Sequence, residues 1–258
     1  MRRAMLSVVV LGLVVGFASF LAAQQQQEPA EVTRVFFVTP KVGMELQFED
    51  AVKKHLDWHR QKNDPWRWDV RYTETGRTTG EYIFITAGHQ WKDFDDAPVP
   101  AKDDGEHFLS TVQPFVASWS SSILVTRRDL TRAEPGAAPS ALATVVYFHL
   151  KYEQTAKFVD AERQIREALD KTNAPIQASW YQLSSTGVNG IFVLSVPREN
   201  WAAFEDPGGP STRDRVEQTF GRARAEAIYQ ALDESVSFTE AKVTRARPDL
   251  SYIPAAAK

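Results

Sequence analysis

Two similar segments lie 110 residues apart in this chain of 258 residues, and this duplication limits the folds open to it. Phe48–Pro65 begins with an amphipathic helical pattern and ends in an Asn-x-Pro sequence, and Phe158–Pro175 does the same. An ungapped comparison at this offset gives 10 identities between positions 48 and 100, about three times the number expected from random pairing. Because the period far exceeds the roughly 20–50 residues of solenoid repeats, we infer a duplicated domain.

The identities fall at helix starts, turns and aromatic anchors, where a fold constrains its residues most. In the first copy they are Phe48, Asp50, Ala51, Asn63, Pro65, Gly80, Trp91, Phe94, Asp96 and Pro100. Farther along, V-T-R at Val125 recurs at Val243, an offset of 118. The second copy therefore contains about eight additional residues, which we assign to a longer second helix.

Hydrophobic periodicity predicts the same order of elements, β-α-β-β-α-β, in both copies. In the first copy we expect strands at Val32–Thr39, Trp66–Thr73, Glu81–Ala87 and Ser120–Arg127, and helices at Glu45–Lys62 and Glu106–Ala117. In the second copy we expect strands at Thr144–Leu150, Ile176–Leu183, Ile191–Val196 and Val236–Thr244, and helices at Gln154–Lys171 and Thr212–Leu232.

This order is that of the ferredoxin-like split βαβ unit. Two such units in tandem, with aromatic-rich sheets, resemble the dimeric α/β-barrel superfamily, which includes stress-responsive barrel, NIPSNAP-like and antibiotic-biosynthesis-monooxygenase-like proteins. The resemblance implies an α+β fold in which two tandem ferredoxin-like units close into one pseudo-symmetric α/β barrel. We expect repeat 1 over 32–130, a linker over 131–141, repeat 2 over 142–247 and an irregular tail over 248–258.

The N-terminus is typical of an export signal. Arg2 and Arg3 precede an apolar run that ends at Ala23, and four glutamines follow it. The pattern predicts a signal peptide over 1–23, a disordered stretch over 24–31 and a periplasmic or secreted protein, with an uncleaved anchor as the alternative. No further membrane span is expected. The absence of cysteine excludes disulfides, thiolate metal sites and cysteine nucleophiles.

Charge and motifs exclude several classes of function. A formal net charge of −3 gives no reason to expect nucleic acid. The sequence contains no G-x-S-x-G, no glycine-rich phosphate loop and no dinucleotide fingerprint. As partners we expect a small molecule, and as assembly state a monomer or a weak dimer.

The sharpest candidate site is a histidine pair on the first helix. His55 and His59 are four residues apart, so both rings project from one helix face. The aligned residues of repeat 2 are the aliphatic Ile165 and Leu169. Such a pair could hold a divalent metal or a haem iron, could do acid–base chemistry, or could be partly buried in hydrogen bonds. We expect aliphatic replacement of the pair to leave the fold equally or more stable.

Two further groups complete the candidates. Trp66, Trp68 and Tyr72 alternate along the second predicted strand and form either core or the wall of an aromatic-lined cavity. Arg67, Asp69 and Arg71 occupy the opposite face, which we expect to be solvated. Before the second helix there is an acidic cluster, formed by Asp103, Asp104, Glu106 and His107. Acidic residues there are better explained by their stabilisation of the helix N-terminus than by a hard-cation site.

The leading functional hypothesis is an exported tandem barrel that binds a small apolar or aromatic molecule without a cofactor, using His55, His59, Trp66, Trp68 and Tyr72. A monooxygenase-like or haem- or metal-handling enzyme, with its site in repeat 1, is the first alternative. A protein-interaction module of the cell envelope is the second. The sequence names no catalytic residue.

Overall fold

The computed structural model describes residues 30–133, 139–184, 190–205 and 208–254. The predicted signal peptide lies outside this range, as do most of the predicted disordered stretch and parts of the linker and the tail. Among the described residues, no helix is both long enough and apolar enough to cross a membrane.

Both repeats follow the predicted order of elements. Repeat 1 contains β1 (Val32–Pro40), α1 (Glu45–Gln61), β2 (Asp69–Thr75), β3 (Tyr82–His89), α2 (Ala101–Thr111) and β4 (Val116–Thr126). Repeat 2 contains β5 (Leu142–Leu150), α3 (Thr155–Lys171), β6 (Ser179–Leu183), β7 (Ile191–Arg198), α4 (Thr212–Phe220), α5 (Arg222–Ser235) and β8 (Val236–Ala246). Short 3₁₀ helices follow β3 at Trp91–Phe94 and β7 at Trp201–Phe204.

The eight strands form one closed antiparallel barrel, as the sequence predicted. Their order is β1-β3-β2-β8-β5-β7-β6-β4, and β4 returns to β1. Each repeat supplies a four-stranded sheet, and the sheets join where Thr73 pairs with Thr244 and where Leu124 pairs with Leu183. Closure removes the exposed strand edges that two separate sheets would leave.

The helices cover the outside of the barrel. In repeat 1, Phe48 and Val52 of α1 are buried against Val70 of β2 and Tyr82 of β3. In repeat 2, α3, α4 and α5 enclose a second apolar cluster around Ile165. Burial of apolar surface between helices and sheet supplies the main stabilisation of both layers.

Identical residues of the two copies mark shared backbone geometry. Asn63 and Asn173 adopt positive φ values of 52° and 47°. Each follows the last turn of its helix, and the next residue donates its amide to the carbonyl five positions back: Asp64 to His59 and Ala174 to Leu169. This is the Schellman motif, in which asparagine is one of the few residues that accept the left-handed conformation.

Two helix predictions need correction. The second helix of repeat 1 is α2, which begins and ends earlier than the predicted Glu106–Ala117, because Pro114 falls in a 3₁₀ turn and β4 begins at Val116. The predicted helix Thr212–Leu232 is broken at Gly221, whose φ of 80° is incompatible with a continuous α-helix.

The predicted strand Trp66–Thr73 also differs, since β2 begins at Asp69. Trp68 instead forms an isolated antiparallel bridge with Tyr252 of the tail, which is therefore not irregular there. The expectation of a solvated face was wrong for Arg71. It points toward Thr244 across the barrel seam, donates to its hydroxyl at 2.8 Å and is mostly buried, which lowers the pKa of Arg71 to about 10.

Candidate functional site

The two histidines of α1 face the first turn of α2. Nε2 of His55 lies 3.1 Å from Oδ1 of Asp104, and Nε2 of His59 lies 3.4 Å from the same oxygen. One ligand atom from each of these three residues lies within 4.8 Å of the others, which is the spacing of a metal-binding group. We call these residues the His–Asp cluster.

Oδ1 of Asp104 is a buried atom that has no hydrogen-bond partner within the described part of the chain. Both imidazole nitrogens are close enough to donate to it, but their directions do not meet hydrogen-bond geometry. Buried polar atoms almost always have a partner, so an unsatisfied carboxylate oxygen between two imidazoles calls for an explanation.

His59 is oriented by the residue that ends its own helix. The Schellman motif brings Asp64 back over the last turn, where its Oδ2 accepts a hydrogen bond from Nδ1 of His59 at 2.8 Å. Asp64 is buried, and it also accepts from the Trp66 amide at 2.9 Å and from Nε1 of Trp68 at 3.3 Å. Because Nδ1 is held by Asp64, Nε2 is the nitrogen that His59 directs toward the cluster, and a metal ion would bind there by displacing any proton that it carries.

His55 is oriented by a second histidine. Its Nδ1 lies 2.8 Å from Nδ1 of His107 on α2, so one ring donates and the other accepts. The ring of His107 stacks on Trp58, with centroids 4.8 Å apart and planes 14° apart. When His55 is the donor in this contact, its Nε2 is unprotonated and faces the cluster.

Charges within and beside the cluster shift the pKa values of its members. Burial disfavours a charged His59, but Asp104 and Asp64 outweigh burial and raise the pKa of His59 to about 9. Burial likewise opposes ionisation of Asp104, but the two imidazoles outweigh it and hold the pKa of Asp104 well below its usual range. Burial, followed by the charges of His55 and His59, lowers the pKa of His107.

The cluster lies below the surface, with only the outer part of Asp104 in solvent. The side chain of His59 is 4% exposed and that of His55 13%, whereas that of Asp104 is 34% exposed. Oδ1 of Asp104, which faces the two histidines, is itself buried.

The structure separates the predicted site residues into three places. His55, His59 and Trp68 lie in or beside the cluster. Tyr72 packs on Tyr82 in the core of repeat 1, with ring centroids 5.2 Å apart. Trp66 packs on His89, with centroids 4.2 Å apart.

Trp66 also lines a surface depression of about 320 Å³. Its other lining residues are Lys92, Asp93, Asp96 and Pro98. Three of these side chains are charged, which is not the lining expected for an apolar ligand.

Sequence reasoning missed the residues that complete the cluster. Asp104 and His107 were assigned to a separate acidic group, and Asp64, the middle residue of the Asn-x-Pro sequence, was not a candidate. The available signal was the ferredoxin-like order itself, because the two helices of one such unit lie side by side on the same face of the sheet. Tyr252, whose hydroxyl donates to the carbonyl of Asp64 at 2.6 Å, gave no sequence signal.

Neither a protein-family model nor a curated protein matches this sequence. Solved structures do match its fold. A protein from Lactobacillus acidophilus NCFM provisionally named a monooxygenase is 11% identical and has a TM-score of 0.52, over 88% of this chain and 98% of that one. An anthrone oxidase-like protein is 9% identical, with a TM-score of 0.50 over 90% and 98% of the two chains.

A protein provisionally named a chlorite dismutase is 14% identical and has a TM-score of 0.51, over 86% of this chain and 97% of that one. Identities this low show the fold alone. The chain therefore has the dimeric α/β-barrel fold that the sequence predicted, with both ferredoxin-like units in one polypeptide.

Proposed function

We propose that this tandem dimeric α/β barrel binds a divalent transition-metal ion at the His–Asp cluster and is a metal-handling protein. The observation that carries the proposal is the convergence of three possible ligand atoms: Nε2 of His55 and Nε2 of His59 lie 3.1 and 3.4 Å from Oδ1 of Asp104. An ion bound by all three atoms would satisfy that oxygen.

The two distances from Asp104 to the histidines fit a shared ion. Zinc binds imidazole nitrogen and carboxylate oxygen at about 2.0–2.2 Å. Neighbouring ligands of a tetrahedral or octahedral ion then lie about 3.0–3.5 Å apart, which matches the separations around Asp104. The donor set suits Zn²⁺, Fe²⁺, Co²⁺ or Ni²⁺ better than Ca²⁺ or Mg²⁺, which prefer oxygen ligands.

The surrounding hydrogen bonds fit a metal site as well. Metal-binding histidines usually donate their second ring nitrogen to a carboxylate or another acceptor, which fixes both tautomer and ring orientation. Asp64 takes this role for His59 at 2.8 Å, and His107 contacts the corresponding nitrogen of His55 at 2.8 Å. Both arrangements leave Nε2 for the ion.

A set of three protein ligands favours a reactive or exchangeable site over a purely structural one. Structural zinc sites are usually closed by four protein ligands, whereas catalytic sites keep a position for water or substrate. The fold relatives include one protein provisionally named a monooxygenase and one described as anthrone oxidase-like. Metal-assisted chemistry on a small molecule is thus the enzyme class that we propose for repeat 1.

Haem is the alternative cofactor, since histidine is also a common ligand of haem iron. At the His–Asp cluster, a haem iron would have to displace Asp104 to reach either Nε2, whereas a bare ion would not. An absorbance spectrum of the purified protein distinguishes the two, because only haem gives a Soret band.

The deciding experiment is metal titration of the untagged mature protein after chelator treatment. We expect one equivalent of Zn²⁺ or Co²⁺ to bind, and Asp104→Asn to weaken binding by at least about 100-fold because it removes a charged ligand. The matched control is Asp103→Asn, an exposed acid one position earlier on α2, which should bind as wild type. Failure of the wild type to bind either ion saturably would refute the proposal.

We further propose that the protein acts outside the cytoplasm, on the strength of the N-terminal signal sequence. Cell fractionation followed by N-terminal sequencing tests this. Recovery of the intact chain from the cytoplasm would contradict it.

A further inference from the structure

The C-terminal segment reaches back across the molecule to the His–Asp cluster. We call residues 247–253 the C-terminal clasp. It follows β8, the last strand of repeat 2, yet it docks on repeat 1. Leu250 is fully buried in the repeat 1 core, and Tyr252 is 4% exposed.

Tyr252 holds the clasp to two residues near the cluster. Its amide donates to the Trp68 carbonyl at 2.8 Å, and the Trp68 amide donates to its carbonyl at 2.9 Å. Its hydroxyl donates to the carbonyl of Asp64 at 2.6 Å. The centroid of its ring lies 6.1 Å from that of His59.

These contacts converge on the residue that orients a cluster ligand. The main-chain carbonyl of Asp64 accepts a hydrogen bond from the hydroxyl of Tyr252, and its carboxylate accepts one from the indole nitrogen of Trp68. The same carboxylate accepts from Nδ1 of His59. A displaced clasp would free both Trp68 and Asp64, and the ring of His59 would lose its fixed direction.

Repeat 2 receives an equivalent segment, residues 127–132, which follow β4 and bury Leu130 in its core, but the residues that it contacts differ. The residue aligned with Asp64 is Ala174, and the one aligned with His59 is Leu169, both buried in an apolar cluster. In that segment Arg132 takes the place of Tyr252 and donates to the carbonyl of Ala174 at 3.1 Å. Docking of such a segment is therefore common to both repeats, and the feature peculiar to repeat 1 is that the residue it holds, Asp64, also accepts from a histidine of the His–Asp cluster.

We propose that Tyr252 and Asp64 are positioning residues of this metal site, and that metal binding and docking of the clasp stabilise each other. The inference rests on the proposed metal function. An ion that binds only the correctly directed Nε2 of His59 favours the docked clasp, and by linkage the docked clasp favours the ion to the same extent. Residues that orient metal-binding histidines typically change metal affinity by about 10–100-fold.

Co²⁺ and Zn²⁺ titration of the full-length protein tests the inference. We expect Tyr252→Phe, which removes only the hydroxyl, to weaken binding by about 10-fold and to alter the visible absorption of bound Co²⁺. Asp64→Asn should weaken binding more. The matched control is Tyr82→Phe, which removes a tyrosine hydrogen bond to Glu49 in the same core without touching Asp64. The Tyr82→Phe variant should have the metal affinity and the Co²⁺ absorption spectrum of the wild type.

Amide hydrogen exchange gives the reciprocal readout. Zn²⁺ should slow exchange of the Tyr252 and Trp68 amides in the wild type, and this protection should be smaller in Tyr252→Phe. Zn²⁺ binding without added protection, or equal affinities for Tyr252→Phe and wild type, would overturn the clasp inference and leave the metal function standing. No binding by the wild type would overturn the metal function itself.

Discussion

Two partly buried carboxyl groups show that neighbouring charges determine whether a buried carboxyl group has a raised or a lowered pKa. Asp104 lies between two imidazoles, which outweigh burial and keep its pKa low. For Glu162 on α3, burial alone raises the pKa to about 7. Asp104 is therefore ionised at neutral pH, and Glu162 is a source of pH-dependent stability.

For Glu162, the folded pKa of about 7 lies above the ordinary value of 4.5. The folded state holds its proton more tightly, so its contribution to stability is complete below pH 4.5 and is lost as the pH rises through 7. Because the side chain is only half-buried, we expect a loss of about 2 kcal/mol in unfolding free energy between pH 5 and pH 8.

Urea unfolding of the wild type and Glu162→Gln at these two pH values measures this loss. The glutamine variant should not lose this unfolding free energy, so it should be more stable than the wild type at pH 8. Glu167→Gln, an exposed acid on the same helix, is the control and should follow the wild type. Identical pH profiles for the wild type and Glu162→Gln would show that Glu162 is solvated when folded.

At the scale of elements, α1 shows which part of the site its sequence predicts. Helical periodicity placed His55 and His59 on one face, and alignment with repeat 2 marked them as unusual. The structure adds Asp64 through the Schellman motif and Asp104 through the packing of α2 beside α1. Local patterns fix which residues share a helix face. The partners across two helices depend on registers that only tertiary packing sets.

The hydrogen bond between His59 and Asp64 changes the expectation for aliphatic replacement. His55→Ile with His59→Leu would leave the buried Asp64 without its imidazole donor, so we expect the metal-free protein to lose about 2 kcal/mol of unfolding free energy. Adding Asp64→Ala copies the repeat 2 set, Ile165, Leu169 and Ala174, and should recover about 1 kcal/mol. Chemical unfolding with a chelator present measures both variants.

The reverse exchange serves as the control for that series. Ile165→His with Leu169→His places two imidazoles in the apolar cluster of repeat 2 without polar partners. We expect a loss of about 2 kcal/mol or more per histidine. A double histidine-to-aliphatic variant as stable as the wild type would show that the network around His59 contributes nothing to folding.

At the scale of the whole molecule, the two repeats share one barrel and cannot be separated without opening two strand seams. At one seam, Arg71 donates to Thr244, and Lys242 forms an ion pair with Glu81 at 3.0 Å. At the other, β4 pairs with β6. The clasp adds a third connection, since it leaves repeat 2 and is buried in repeat 1.

These connections predict that the mature protein unfolds in one cooperative transition, because neither four-stranded sheet has another cover for its barrel face. Proteolytic cleavage within the predicted linker, residues 131–141, should leave the halves associated and the thermal transition single. Size-exclusion chromatography and calorimetry of the cleaved protein test this. The contrary outcome is two separate transitions with halves that elute apart. It would mean that each repeat buries enough surface to fold alone, and that the seams contribute little to the stability of the barrel.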